Sequence, residues 1–102
     1  MAVIELNEES FNKAIHSKNV VIVDFHAEWC GPCKTLGPIM EEVSNKGIIV
    51  YSVDVDEHRS LAQEYSVSSI PTVLFFKNGK KVDQFVGVKE MEDIIDIATS
   101  HK

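Results

Sequence analysis

With only two cysteines in 102 residues, the chain cannot build the framework of crosslinks that holds small secreted domains together. It has no run approaching the roughly 20 apolar residues that span a bilayer. Its first residues show no basic start, long apolar stretch and small-residue cleavage site of the kind that directs secretion. Positive charge is scarce: ten Lys and Arg stand against sixteen Asp and Glu, a formal net charge of −6. Nucleic-acid binders need clustered Lys or Arg to displace counterions, and no basic stripe exists here, so no nucleic acid and no membrane is expected as a partner. Repeats, low-complexity stretches and linker-like runs are also missing. What is present is enough chain for one domain, residues 1–102, with the ordinary 44% of hydrophobic residues that fills a core without metal or crosslinks. A monomer in a reducing compartment, the cytoplasm, is the expectation.

Strand and helix patterns alternate along the chain. Val3–Leu6 reads as a short strand, and Asn7 as an N-cap before a helix whose Phe11, Ala14 and Ile15 form an apolar stripe. Val20–Phe25 is a nearly continuous β-branched run, the mark of a strand covered on both faces. A helix follows through Leu36, Ile39, Met40 and Val43, with Pro38 expected to kink it and Gly47 to end it. Ile48–Val53 is a further buried strand, and a third helix fits from about His58 to Tyr65 with Asp56 as its cap. Thr72–Phe76 and Lys81–Val86 are strands joined through Asn78-Gly79, a strong hairpin signal. The last helix runs from about Lys89 to Thr99 and buries Met91, Ile94, Ile95 and Ala98. The order β-α-β-α-β-α-β-β-α predicts an α/β fold, a mixed sheet with helices on both faces and an antiparallel hairpin edge.

The chemistry concentrates at Trp29-Cys30-Gly31-Pro32-Cys33-Lys34. Two cysteines at i and i+3 share a face if a helix begins there, a separation compatible with a disulfide. Pro32 is tolerated only in a first helical turn, which places Cys30 at or just before the helix start. Unpaired amides and the positive dipole end favour a thiolate at that position. Cys30 is therefore the expected nucleophile, and Cys33, deeper and less exposed, the resolving thiol. A zinc site completed by His26 and His58 is the weaker alternative, since there is no second cysteine pair. Asp24 is the next informative residue, an acid inside an apolar strand six residues before Cys30. Burial would raise its pKa and fit it to accept the Cys33 proton. The competing reading is a solvent-facing acid at a strand end.

These residues closely resemble the thioredoxin family. The match is carried by Val23-Asp24-Phe25, Ala27 to Lys34, Pro38, Asp54-Val55-Asp56, Ile70-Pro71-Thr72, Phe76 to Gly79 and Gly87, in order along nearly the whole chain. The resemblance implies a thioredoxin fold, a central mixed five-stranded sheet flanked by four helices. It also implies a general protein-disulfide reductase that works without a cofactor and is recharged by thioredoxin reductase. Peroxiredoxin, ribonucleotide reductase and methionine sulfoxide reductase are the substrates it suggests. Thioredoxin is itself the reference example of a lowered thiol pKa in this motif. By the same resemblance Ile70-Pro71 carries a cis bond, Ile70 lends its backbone to an extended substrate, and Trp29 and Gly87 complete a shallow docking surface.

Three positions depart from the family pattern. His26 stands where many members carry an aromatic or small residue, and a packed or solvated neighbour is its expected role. Ser52 stands where bacterial members often have a lysine, and Gly37 precedes Pro38. His16, His58 and His101 read as surface residues, and the acidic runs Glu41-Glu42 and Asp54 to Glu57 as solvated faces or caps. An acidic rim would help select partners by charge. The function from another class is a binding or chaperone module on the same fold, with redox capacity secondary.

Overall fold

Strands covered on both faces are largely apolar, and from Val21 to Phe25 the central strand follows that rule except at Asp24. The computed structural model describes residues 2–102. In chain order the elements are β1 (Ile4–Glu5), α1 (Glu8–Ile15), β2 (Val21–His26), α2 (Gly31–Asn45), β3 (Ile49–Asp54), α3 (Arg59–Glu64), β4 (Thr72–Lys77), β5 (Lys80–Val86) and α4 (Met91–Ser100). The sheet order is β1-β3-β2-β4-β5. β1 and β2 run parallel to β3, whereas β4 is antiparallel to β2 and β5 antiparallel to β4. The expected mixed sheet with four helices is therefore present.

Alternation along β2 divides the interior. Val21, Val23 and Phe25 face α1 and α3, where they meet Phe11, Leu61, Leu74 and Phe76. Tyr65 joins this group, its ring 5.3 Å from Phe11 and 5.4 Å from Phe76 between centroids. On the other face Ile22 packs with Leu36, Met40 and Val43 of α2 and with Ile94 and Ala98 of α4. Met91 and Ile95, expected to be buried, are only half-buried, packed at the margin of the cluster in which Ile94 and Ala98 are fully enclosed.

Local chemistry sets the element ends. Asn7 caps α1 by accepting the Ser10 amide at 2.9 Å, and Ser10 Oγ accepts the Asn7 amide at 3.0 Å, a reciprocal box that satisfies two otherwise orphaned donors. Helix α2 continues through Pro38 and ends before Gly47, whose φ of +92° takes the chain out of the helix. Asp56 does not cap α3, as the sequence had suggested: His58 holds the N-cap position without a side-chain bond. The capping carboxylate in this turn is Asp54, which is buried and accepts the amides of Asp56 at 2.9 Å and Glu57 at 3.3 Å.

The β4–β5 hairpin turns through Asn78 and Gly79, both at positive φ (55° and 81°), the conformation that matches strand twist in a two-residue turn. It is seated on the end of α1: the Asn78 amide donates to Ser17 O at 2.7 Å and the Gly79 amide to Ile15 O at 3.0 Å. A Cβ at Gly79 would lie 2.5 Å from His16 Nε2, on a ring whose Nδ1 is 2.5 Å from Asn12 O. Gly79→Ala is accordingly expected to lower stability by about 1–2 kcal/mol from the left-handed backbone alone, and further from displacing His16. Urea unfolding of Gly79→Ala with and without His16→Ala separates the two parts. An unchanged midpoint would show that the turn tolerates a side chain.

Candidate active site

The redox pair sits where β2 gives way to α2. After His26 the chain turns through Ala27, Glu28 and Trp29, with the Cys30 amide donating to Ala27 O at 3.2 Å. Cys30 has extended backbone angles and occupies the N-cap of α2, and its Sγ accepts the Cys33 amide at 3.2 Å. A sulfur thus does what the oxygen of Ser or Asp does at other helix starts. Gly31 and Pro32 fill the first turn and are exposed, as is Lys34. Its amide donates to Cys30 O at 3.3 Å. Proline has no amide to satisfy at this place, so the first turn loses no hydrogen bond.

Cys30 and Cys33 are joined in a disulfide, with Cα atoms 5.3 Å apart. One expectation needs correction. Cys33 is not the less exposed of the two: Cys30 is 4% exposed and Cys33 6%. The closed pair is packed against Ala27, Val55 and Ile70, and Cys30 Sγ lies 3.8 Å from Ile70 O. The distinction between the cysteines therefore lies in what each faces. Cys30 caps the helix and lies beneath the Ile70–Pro71 segment, whereas Cys33 opens onto the cleft that holds Asp24.

Asp24 lies in the middle of β2, opposite Ser52 of β3 and Val73 of β4. It is 5% exposed, which disposes of the solvent-facing reading. Its Oδ1 has no hydrogen-bond partner among the described residues. Burial pushes its pKa from the ordinary 3.8 up to about 6, while the neighbouring charge of His26 pulls in the opposite direction. A carboxyl group poised near neutrality beside a thiol is suited to exchange protons with it. The cleft, of about 270 Å³, is walled by Glu5, Asp24, His26, Cys33, Gly37 and Ser52, among others.

Above the disulfide, Ile70–Pro71 is cis. The segment is held by the Thr72 hydroxyl, which donates to Ser69 O, and by the Gly87 amide, which donates to Pro71 O at 2.9 Å. Gly87 has φ +95°, a conformation that side chains resist. Trp29 is 70% exposed, so it is not a core residue. Its indole Nε1–H donates to Asp56 Oδ2 at 2.7 Å, which fixes the ring on the surface beside the dithiol. Val86 and Val88, on either side of Gly87, are exposed large apolar residues. Sequence reasoning missed both, because two valines beside a strand-ending glycine look like any other edge.

Three histidines pair with carboxylates, His58 and His101 away from the cysteines and His26 on the cleft that Cys33 borders. His58 Nδ1 is 2.6 Å from Glu8 Oε1 and His101 Nε2 is 2.9 Å from Asp83 Oδ2. His26 Nε2 is 3.3 Å from Glu5 Oε1.

The thioredoxin family model matches residues 2–100. The mitochondrial thioredoxin of Bos taurus is 49% identical over 86 residues, covering 81% of this chain and 52% of that protein. The thioredoxin of Chlamydia caviae is 42% identical over 98 residues, covering 94% and 95%. Among solved structures, the thioredoxin of Malassezia sympodialis superposes with a TM-score of 0.87 at 37% identity, covering 98% of this chain and 90% of the other. A mutant thioredoxin of Halobacterium salinarum gives 0.89 at 32% identity, covering 97% and 89%. The chain spans about half the length of the mitochondrial relatives and nearly all of the chlamydial ones.

Burying Asp24 has a consequence for stability. Its folded pKa lies above its unfolded value, so the folded chain binds the proton more tightly. The ionised carboxylate destabilises the fold progressively as pH rises from about 4 to about 6, and fully above that. A displacement from 3.8 to about 6 corresponds to about 3 kcal/mol at neutral pH. Asp24→Asn is expected to stabilise the oxidised protein by up to that amount at pH 7 and by little at pH 3.5. Thermal unfolding followed across this range is the check, and a gain independent of pH would refute the assignment.

Proposed function

The chain belongs to the thioredoxin family, and from that premise we propose that it acts as a general protein-disulfide reductase. The observation that carries the reading is the closed Cys30–Cys33 disulfide at a helix N-cap, with the buried carboxyl of Asp24 on the same cleft as Cys33. In the reduced protein the Cys30 sulfur keeps the Cys33 amide and the positive end of α2 as its partners, which favours the thiolate. That thiolate attacks one sulfur of a partner disulfide. The second partner sulfur leaves with the bonding pair and takes up a proton, and Cys30 is left in a mixed disulfide.

Resolution uses the other half of the site. Cys33 gives its proton to Asp24 and attacks Cys30 Sγ. The bond between Cys30 and the partner breaks, and the partner leaves as a thiolate. Two electrons have passed to the partner, and the product is the disulfide described above. No metal or organic group takes part in this scheme, because the cysteines hold both electrons.

Docking falls to the surface around the pair. Trp29, held by Asp56, the half-buried Ile70 and the Gly87 turn form a shallow surface beside the dithiol. Ile70 offers its backbone to an extended substrate segment in the manner of an added strand. Trp29, Gly31, Pro32 and Lys34 shape the turn itself. A flavoprotein, thioredoxin reductase, is the proposed electron donor, and peroxiredoxin, ribonucleotide reductase and methionine sulfoxide reductase are proposed acceptors. The proposed setting is the cytoplasm, where a dithiol can be re-reduced in every cycle.

Three measurements test this reading. Cys30→Ser should abolish reduction of a model protein disulfide, and Cys33→Ser should accumulate the mixed disulfide, visible by mass spectrometry. The reduction potential of the pair should lie well below the about −180 mV of protein disulfide isomerase. A value at or above it would indicate an oxidase or isomerase, and partner binding that survives Cys30→Ser with its cellular effect intact would favour a docking module.

A further inference from the structure

Each turnover puts a proton on Asp24 and must also remove it. Asp24 is 5% exposed and its Oδ1 has no hydrogen-bond partner among the described residues, so the proton leaves by the cleft that Asp24 shares with His26. Three strands align at this level: Glu5 of β1 is opposite Ser52 of β3, which is opposite Asp24 of β2. His26 lies two residues beyond Asp24 and so on the same face of the sheet. It borders the same cleft and reaches across to Glu5, with Nε2 3.3 Å from Oε1. Side-chain exposure rises outward to 23% at His26 and 69% at Glu5, a graded line from the buried acid to water.

Other groups facing the imidazole serve this purpose less well. Ser52 can pass a proton but cannot hold one. Glu5 of β1 and Glu41 of α2 border the cleft as carboxylates. Asp54 of β3, in register with His26, is occupied by two backbone amides. On a second opening shared with Cys33, Glu28 of the turn and exposed Lys34 of α2 stand near His26. Imidazole is the side chain that ordinarily changes charge between pH 5 and 8.

We infer that His26, held by Glu5, carries the proton from Asp24 to solvent and so returns Asp24 to the ionised form that the next mixed-disulfide resolution requires. This rests on the reductase reading. The steps balance in protons and involve no further electrons: protonated Asp24 gives its proton to neutral imidazole, Glu5 stabilises the imidazolium, and the imidazolium releases a proton to water. All three groups return to their starting charge. His26 is a positioning and relay residue, since it touches neither sulfur of the substrate.

The test compares multiple-turnover disulfide reduction with single-turnover resolution by rapid mixing from pH 5.5 to 9, in wild type, His26→Gln and His26→Ala, with equilibrium unfolding to verify that each variant folds. A positioned proton-transfer group is worth about 10²–10⁴-fold, and an open cleft returns part of that. His26→Gln should therefore slow repeated turnover about tenfold above pH 6, while a single resolution that starts from ionised Asp24 keeps its wild-type rate. Free imidazole in the buffer should restore the His26→Ala rate in proportion to its concentration. NMR titration should show the Asp24 carboxyl moving upward in His26→Gln, because a positive neighbour has been removed. Wild-type pH profiles in both variants would overturn the inference and leave the reductase reading standing. A slow His26→Ala that imidazole does not accelerate would overturn it in favour of a packing role. A wild-type protein that reduces no disulfide would overturn both.

Discussion

The site depends on one constraint: β2 is covered on both faces and yet carries a carboxylate. Val21, Ile22, Val23 and Phe25 have no exposed surface, and they place β2 at the centre of the sheet between β3 and β4. Asp24 has to follow them into the interior, on the side that receives α2. The same strand aims the chain into the Cys30 turn, so the position of the acid and that of the dithiol are set by one piece of rigid backbone. A site built this way needs little reorganisation when protons move.

The start of α2 supplies the complementary half. An N-cap must satisfy amides that the helix cannot, and here the satisfying atom is the sulfur proposed as nucleophile, at 3.2 Å from the Cys33 amide. Pro32 and Gly31 permit the tight start, and Cys33 follows one turn later on the same face. In the proposed reaction, capping and reactivity are therefore a single interaction. The Ile70–Pro71 segment, tied to Gly87 at 2.9 Å, closes over Cys30 and leaves the Asp24 cleft to Cys33. This division explains how two cysteines of nearly equal exposure differ in what they can do.

Much of this was legible in the residues, because burial and turn chemistry leave strong marks. The β-branched runs located the central strands, Asn78-Gly79 the hairpin and Gly-Pro the helix start. An acid inside Val20–Phe25 announced its own burial. What the residues did not show depended on long-range contacts. Asp56 looked like a cap for α3, but its carboxylate is taken by Trp29, 27 positions earlier, and the capping falls to Asp54. The ranking of the cysteines by exposure failed because the Ile70–Pro71 segment, 40 residues away, covers Cys30. The cis bond came through family resemblance, since an X-Pro bond is cis in only about 5% of cases. His26 gave no sign of its partner, because Glu5 reaches it only through the β1–β3–β2 pairing.

Retention of Asp24 follows from the difference between stability and chemistry. An amide at this position would relieve the desolvation that raises its pKa, yet an amide cannot take a proton from Cys33. A carboxyl at the surface would avoid the same cost, but its ordinary pKa near 4 leaves it a much weaker base. Only burial brings it to about 6, and burial without a hydrogen-bond partner at Oδ1 keeps the protonated form from being disfavoured. The carboxyl is held in a strand whose apolar burial on either side of it, at Val21, Ile22, Val23 and Phe25, is complete.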